Sequence, residues 1–234
     1  TSPVLPPKTL ERNLKSLASA SFQPQESFKF MAFATLFSQG ESPRRVLFTG
    51  IRGSVGCSPS AGQFAVAASR TGRRTILVDA DLRHATLSKV FNCQGKPGVR
   101  ELITHNMLPN ENAEISIETE HPQLRIVPAG AADGPTISDV PVADVIGFLD
   151  ALQEQADLIV IDAPPIDAVA DTVRFVPFVD QVCLVVSAKT TRFGDIPIAT
   201  DLLKRAGAKS VNVVLTGTDP EEEPFSRKSS YMVG

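Results

Sequence analysis

Six short apolar runs, continuous rather than alternating, recur along the chain: RVLFTG (45–50), TILVDA (75–80), LRIVPAG (124–130), DLIVIDA (157–163), QVCLVVSA (181–188) and VNVVLTG (211–217). An unbroken apolar run fits a strand buried on both faces, the situation of a parallel sheet. Helical stretches at about 58–71, 98–105, 142–155 and 195–206 lie between them and supply the crossovers that parallel strands require. The pattern predicts an α/β fold, a doubly wound and mostly parallel sheet with helices on both faces. Ligands are expected at the carboxyl ends of its strands.

The first run leads into a glycine-bearing turn and a helix of small residues, RVLFTGIRGSVGCS followed by PSAGQFAVAASRTG. This is the layout of a P-loop NTPase, in which backbone N–H groups cradle phosphates and the segment ends Gly-Lys-Ser/Thr. Here Gly56, Cys57 and Ser58 fill those slots, so the lysine is missing. Gly53, Gly56, Cys57, Ser58 and the nearby Arg52 are the candidate nucleotide-binding residues on this side. Proline at 59 has no N–H to give a phosphate but is comfortable in a first helical turn. A second frame, SPSAGQ with Gln63 in the lysine slot, leaves too short a helix before Asp79 and is rejected.

Two apolar runs end in acids, the second in Asp79-Ala80-Asp81-Leu82-Arg83 and the fourth in Asp162-Ala163-Pro164-Pro165. Carboxylates at strand tips facing a phosphate loop can hold Mg²⁺ and position a nucleophile. A lone aspartate there is more often a cap or turn former, but three acids beside one glycine loop point to an active-site plan.

The bulk numbers narrow the field. A chain of 234 residues with net charge −3 offers no general attraction to nucleic acid. Cys57, Cys93 and Cys183 are too widely spaced for a zinc site or a disulfide framework and suit a reducing cytoplasm. No run approaches a membrane span, although the chain starts at Thr1 and any such segment is expected to lie outside it. Residues 1–25 read as a proline-rich linker with a short amphipathic helix carrying Leu10, Leu14 and Leu17. Residues 26–39 read as a second helix, rich in phenylalanine. His84, His105 and His121 lack ligand spacing and read as surface or packing residues.

These motifs together resemble the cytoplasmic domain of bacterial tyrosine kinases of the polysaccharide co-polymerase type, the BY-kinases, within the deviant-Walker ATPases. The resemblance runs from about residue 26 to 219, with a tail at 220–234. ILVDADLR matches the family's second Walker motif and DLIVIDAPP its Walker B strand. KPGVRELI, LRIVPAG and QVCLVVSAKTTR resemble further family segments. The resemblance implies catalytic roles for Asp79, Asp81 and Asp162, Mg²⁺ ligation by Ser58, Asp81 and Asp162, and Mg·ATP or Mg·ADP as cofactor where the site functions. It implies a cytoplasmic domain at the inner face of the bacterial membrane, a membrane-spanning co-polymerase partner on the same or a separate chain, and a homo-oligomer. Exopolysaccharide or capsule assembly is the implied setting.

The departures cluster on chemistry. Cys57 replaces the lysine, Pro59 a threonine, and Thr216 an asparagine expected at adenine. The family's Glu-x-x-Arg-x-x-Arg assembly helix reads Glu26, Lys29 and Ala32, and Tyr231 is the one tyrosine where the family carries a cluster. That is the profile of a pseudokinase. Its alternatives are an active autokinase or ATPase with Arg52 as substitute cation, and a partition-type positioning ATPase. Cys57 at a helix N-terminus is expected to have a lowered thiol pKa where exposed, and otherwise to fill space.

Overall fold

A computed structural model describes residues 44–104, 116–167 and 170–218. The linker, the 26–39 helix, His105, the tail and Tyr231 lie outside them. The sheet has seven strands: β1 (Arg45–Gly50), β2 (Thr75–Asp79), β3 (Ile117–Glu118), β4 (Leu124–Val127), β5 (Leu158–Asp162), β6 (Gln181–Ser187) and β7 (Val211–Thr216). Their order is β3-β4-β2-β5-β1-β6-β7. All neighbours are parallel except β3 and β4. The six apolar runs are the six parallel strands. The additional β3 is a two-residue antiparallel edge that no periodicity announces.

Among the described residues six α-helices flank the sheet: α1 (Cys57–Ser69), α2 (Thr86–Val90), α3 (Val99–Thr104), α4 (Val142–Gln155), α5 (Asp171–Phe175) and α6 (Asp195–Arg205). Helix α4 buries Val145, Phe148, Leu149 and Leu152, an i, i+3, i+4, i+7 stripe that faces one side of the sheet. Helix α1 covers the other face. Its Ala61, Ala65 and Ala68 have no measurable exposure, so small side chains let the helix settle close to the strands. Phe64 on α1 meets Phe48 on β1 with ring centroids 5.3 Å apart, a contact of the kind that adds about 1 kcal/mol beyond area burial. The core therefore splits into two clusters, one on each side of the sheet. No helix among the described residues is long and apolar enough to cross a membrane.

This packing fixes the start of α1 against the tips of β1, β5 and β2. A Cβ on Gly50 would sit 2.6 Å from Val55 Cγ2 and 2.9 Å from the Arg52 carbonyl, so only glycine lets the chain turn so tightly out of β1. Gly56 takes φ +88° as it enters α1, a left-handed conformation that glycine adopts without strain. The helix begins at Cys57 and Gln63 lies buried within it, in agreement with the frame that puts Cys57 in the lysine slot.

Candidate phosphate-binding site

Strand register brings the acids together. Asp79 and Asp162 are Cα partners on β2 and β5, and both are fully buried, at 0% and 1% exposure. The N–H and hydroxyl of Ser88, at the start of α2, each reach Asp79 Oδ2 at 2.7 Å. The same hydroxyl accepts the Ala129 N–H at 2.9 Å, so the carboxylate is braced against the end of β4. Asp81 sits one step beyond the strand. Its Oδ1 accepts the N–H groups of Arg83 and His84 at 3.3 and 3.2 Å, and its Oδ2 lies 2.9 Å from His84 Nδ1. The sequence pattern reads His84 as a surface or packing residue. Its ring is indeed exposed, but it touches a site carboxylate. The Asp-x-x-His spacing within one turn was the available signal. Ser88 had none, because its role depends on where a five-residue helix lands.

The lysine slot is filled from inside. Cys57 Sγ lies 3.3 Å from Asp162 Oδ1, so the thiol points at the carboxylate that ends β5. Burial pushes the Cys57 thiol well above its ordinary pKa, and the neighbouring Asp162 charge adds to this. A helix N-terminus would lower it. The expectation of a lowered pKa held only for an exposed thiol, and this half-buried one faces an acid.

Two carboxylate oxygens remain open. Asp79 Oδ1 and Asp162 Oδ2 are buried with no hydrogen-bond partner of acceptable geometry, although the Ser58 hydroxyl is near enough to pull the Asp162 pKa down. Burial and then the charge of Asp79 push Asp162 well above the usual carboxylate range. Burial likewise raises Asp79 to about 6, against the lowering effect of the Ser88 bonds. Two acids side by side out of water cannot both hold their charge without a cation.

No basic residue among the candidates supplies one. Arg52 is exposed and pairs with Asp195 at the start of α6, 3.5 Å away. Gly53 stands open at the outer edge of the loop. Thr216 is committed to the loop itself, its hydroxyl 2.6 Å from the Val55 carbonyl and 3.2 Å from that of Val186. Its methyl group sits where a Cβ on Gly56 would come within 3.6 Å. The structure thus gathers Gly56, Cys57, Ser58, Asp79, Asp81 and Asp162 at one sheet edge and leaves Arg52 outside. The hard oxygens here, two of them orphaned and buried, are the donor type a divalent cation such as Mg²⁺ takes, but among the described residues no three acids, histidines or cysteines converge as a metal cluster. A bare phosphate would meet those same acids without a lysine to offset them.

Comparison with known proteins bears on the fold that carries this site. No family model matches the chain. The tyrosine-protein kinase CpsD of Streptococcus agalactiae is 24% identical over 193 residues, covering 82% of this chain and 83% of that protein. Among solved structures, the chimerical protein CapA2B2 superposes with a TM-score of 0.77 at 23% identity, covering 88% of this chain and 90% of that one. The septum site-determining protein MinD of Pyrococcus horikoshii, solved with Mg-ADP, gives 0.60 at 20% identity, covering 74% of this chain and 69% of that one. The likeness read from the sequence therefore holds in three dimensions, and along most of its length this P-loop-fold chain is similar to the bacterial tyrosine kinases of the polysaccharide co-polymerase type.

Proposed function

We propose that the chain is a cytoplasmic regulatory domain of exopolysaccharide or capsule assembly, built like a bacterial tyrosine kinase, whose phosphate site transfers phosphate weakly or not at all. It acts by docking as a homo-oligomer beside a membrane-spanning co-polymerase. The observation that carries this reading is the Cys57 thiol, 3.3 Å from Asp162 in the slot of the phosphate-neutralising lysine. A charge-assisted contact of the missing kind contributes about 1.5–3 kcal/mol, or about 10- to 100-fold in nucleotide affinity. The loss in rate is larger still, because charge on a transferring phosphoryl group must be offset. Pro59 removes one N–H from the cradle, and the Thr216 hydroxyl is turned to the loop backbone.

The retained carboxylates favour a second reading, an ATP-dependent autokinase or ATPase. Ser58, Asp81 and Asp162 would hold Mg²⁺, which when bound supplies positive charge to phosphate oxygens. Asp79 braces the edge through Ser88. Against it, Arg52 is engaged with Asp195.

Calorimetric titration with Mg·ADP and Mg·ATP separates the two. The natural protein is expected to give no detectable binding, and the Cys57→Lys variant to gain it. Clear binding by the natural protein that is lost in Asp81→Ala overturns the pseudokinase reading and leads to a phosphotransfer assay.

A further inference from the structure

The acids at the carboxyl edge of the sheet have the oxygens a divalent cation takes, yet among the described residues they do not converge on one. Asp81 shows how they are kept apart. It stands one residue beyond the end of Asp79 and β2, and its partners come from the turn that follows it. Oδ1 accepts the N–H groups of Arg83 and His84 at 3.3 and 3.2 Å, and the His84 ring nitrogen Nδ1 lies 3.2 Å away as well. Oδ2 has one partner among the described residues, the same Nδ1 at 2.9 Å. A carboxylate only accepts, so Nδ1 carries the proton.

Two backbone N–H groups are enough to close a turn of this Asx kind. The imidazole is an addition to it, and it stands where a cation would come in. The His84 side chain is 71% exposed and that of Asp81 only 10%, so the ring lies on the solvent side of the acid. Asp79 and Asp162 are buried, and their open oxygens, Asp79 Oδ1 and Asp162 Oδ2, are closed off from water. A cation arriving from solvent therefore has to begin at Asp81. Oδ1 already faces more donors than it has lone pairs, which leaves Oδ2. There the His84 N–H points its positive end along the approach that Mg²⁺, with its strict octahedral demand for oxygen, has to take.

We infer that His84 closes the cation position by holding Asp81, so that the chain shuts its own site a second time with a side chain outside the phosphate loop. Resting on the reading of a weak or silent site, this closure adds its second cause. Cys57 removes the charge that faces phosphate, and His84 withholds the acid that faces the cation. His84 acts through Asp81 and is a positioning residue. Cys57→Lys alone then restores affinity for the nucleotide without restoring a place for the metal.

The test is binding of Mn²⁺, a stand-in for Mg²⁺, to the full chain without nucleotide, read by electron paramagnetic resonance as loss of the free-ion signal. The natural protein is expected to bind no more than Asp81→Ala, which sets the background from exposed acids. His84→Ala is expected to bind at least about tenfold more tightly, because the cation no longer displaces a hydrogen bond to a charged group. Adding Asp81→Ala to His84→Ala should abolish the gain. His84→Asn keeps an N–H where Nδ1 stood and is expected to stay closed. The ring is exposed, so melting temperatures hold steady and keep a gain of binding apart from a loosened fold. Mn²⁺ held by the natural protein above background overturns the inference. So does a His84→Ala that gains nothing, a gain that survives the loss of Asp81, or a His84→Asn as open as His84→Ala. Nucleotide titration stays a separate readout. A natural protein silent toward Mg·ADP whose His84→Ala variant gains no Mn²⁺ removes this closure and leaves the reading of the loop standing, whereas clear Mg·ADP binding removes that reading whatever Mn²⁺ does.

Discussion

The two ends of the parallel sheet treat carboxylates in opposite ways. At the amino end, Asp180 accepts the N–H groups of Arg44 and Arg45 at 2.9 and 3.1 Å on one oxygen and the Lys209 ammonium at 3.2 Å on the other. Although partial burial works the other way, those donors hold its pKa below the usual carboxylate range. At the carboxyl end, Asp79 and Asp162 stand side by side, each with an open oxygen and, among the described residues, no basic side chain acting on it. Burial raises both. An acid that serves the fold is saturated by its own chain. The acids at the carboxyl end are left unfinished by their own chain, an arrangement that weakens the fold and marks candidate functional groups.

The sharpest way to break this contrast is to remove the unfinished charge. A folded-state pKa near 6 for Asp79, against 3.8 unfolded, means the folded protein binds more protons between those values. Stability therefore falls as pH rises from about 4 to about 6, and the deficit persists above that window. Asp79→Asn keeps an acceptor for Ser88 and discards the charge. It is expected to raise unfolding free energy at pH 7.5 by roughly 2–3 kcal/mol, a gain that vanishes near pH 4. Urea unfolding at the two pH values reads this directly. An equal effect at both pH values would show that packing, not charge, is responsible.

Asp180 should respond with the opposite sign. Its folded pKa is depressed, so its contribution is present at neutral pH and is lost as pH falls through the acid range. Asp180→Ala leaves two N–H groups without their carboxylate and is expected to cost about 1–2 kcal/mol at pH 7.5, the partner being partly exposed. The same urea series checks it. A neutral Asp180→Ala would mean that water replaces the carboxylate there, and the contrast between the two ends would shrink to the phosphate-loop end alone.

What the sequence disclosed follows from how local each signal is. The six parallel strands were legible because each is an apolar run buried on both faces, and the site acids because they terminate two such runs. The two-residue β3 and the five-residue α2 and α5 fall below the length at which periodicity speaks. The grips on the acids were hidden for a different reason. Ser88 reaches Asp79 because α2 lands over β2, and Thr216 clamps the Val55 carbonyl from a strand 161 residues away. Spacing puts Cys57 in the lysine slot, and the helix after the glycine turn starts at that residue. That its thiol turns toward Asp162 is a matter of packing, which no single sequence prints.

That turn yields the smallest and most local prediction. A cysteine at a helix N-terminus ordinarily ionises easily and alkylates fast. Here burial and the Asp162 charge raise the Cys57 thiol instead, so little thiolate is present at pH 8. Peptide-resolved mass spectrometry should find Cys57 alkylated by iodoacetamide at least about tenfold more slowly than a free cysteine. Cys93 and Cys183, both buried and pushed up to about 12, are slower again. In Asp162→Asn the burial remains but the neighbouring charge is gone, and Cys57 alone should speed up severalfold. If all three cysteines accelerate together, the substitution has loosened the core. If none does, the thiol is governed by burial and the acid beside it is a bystander.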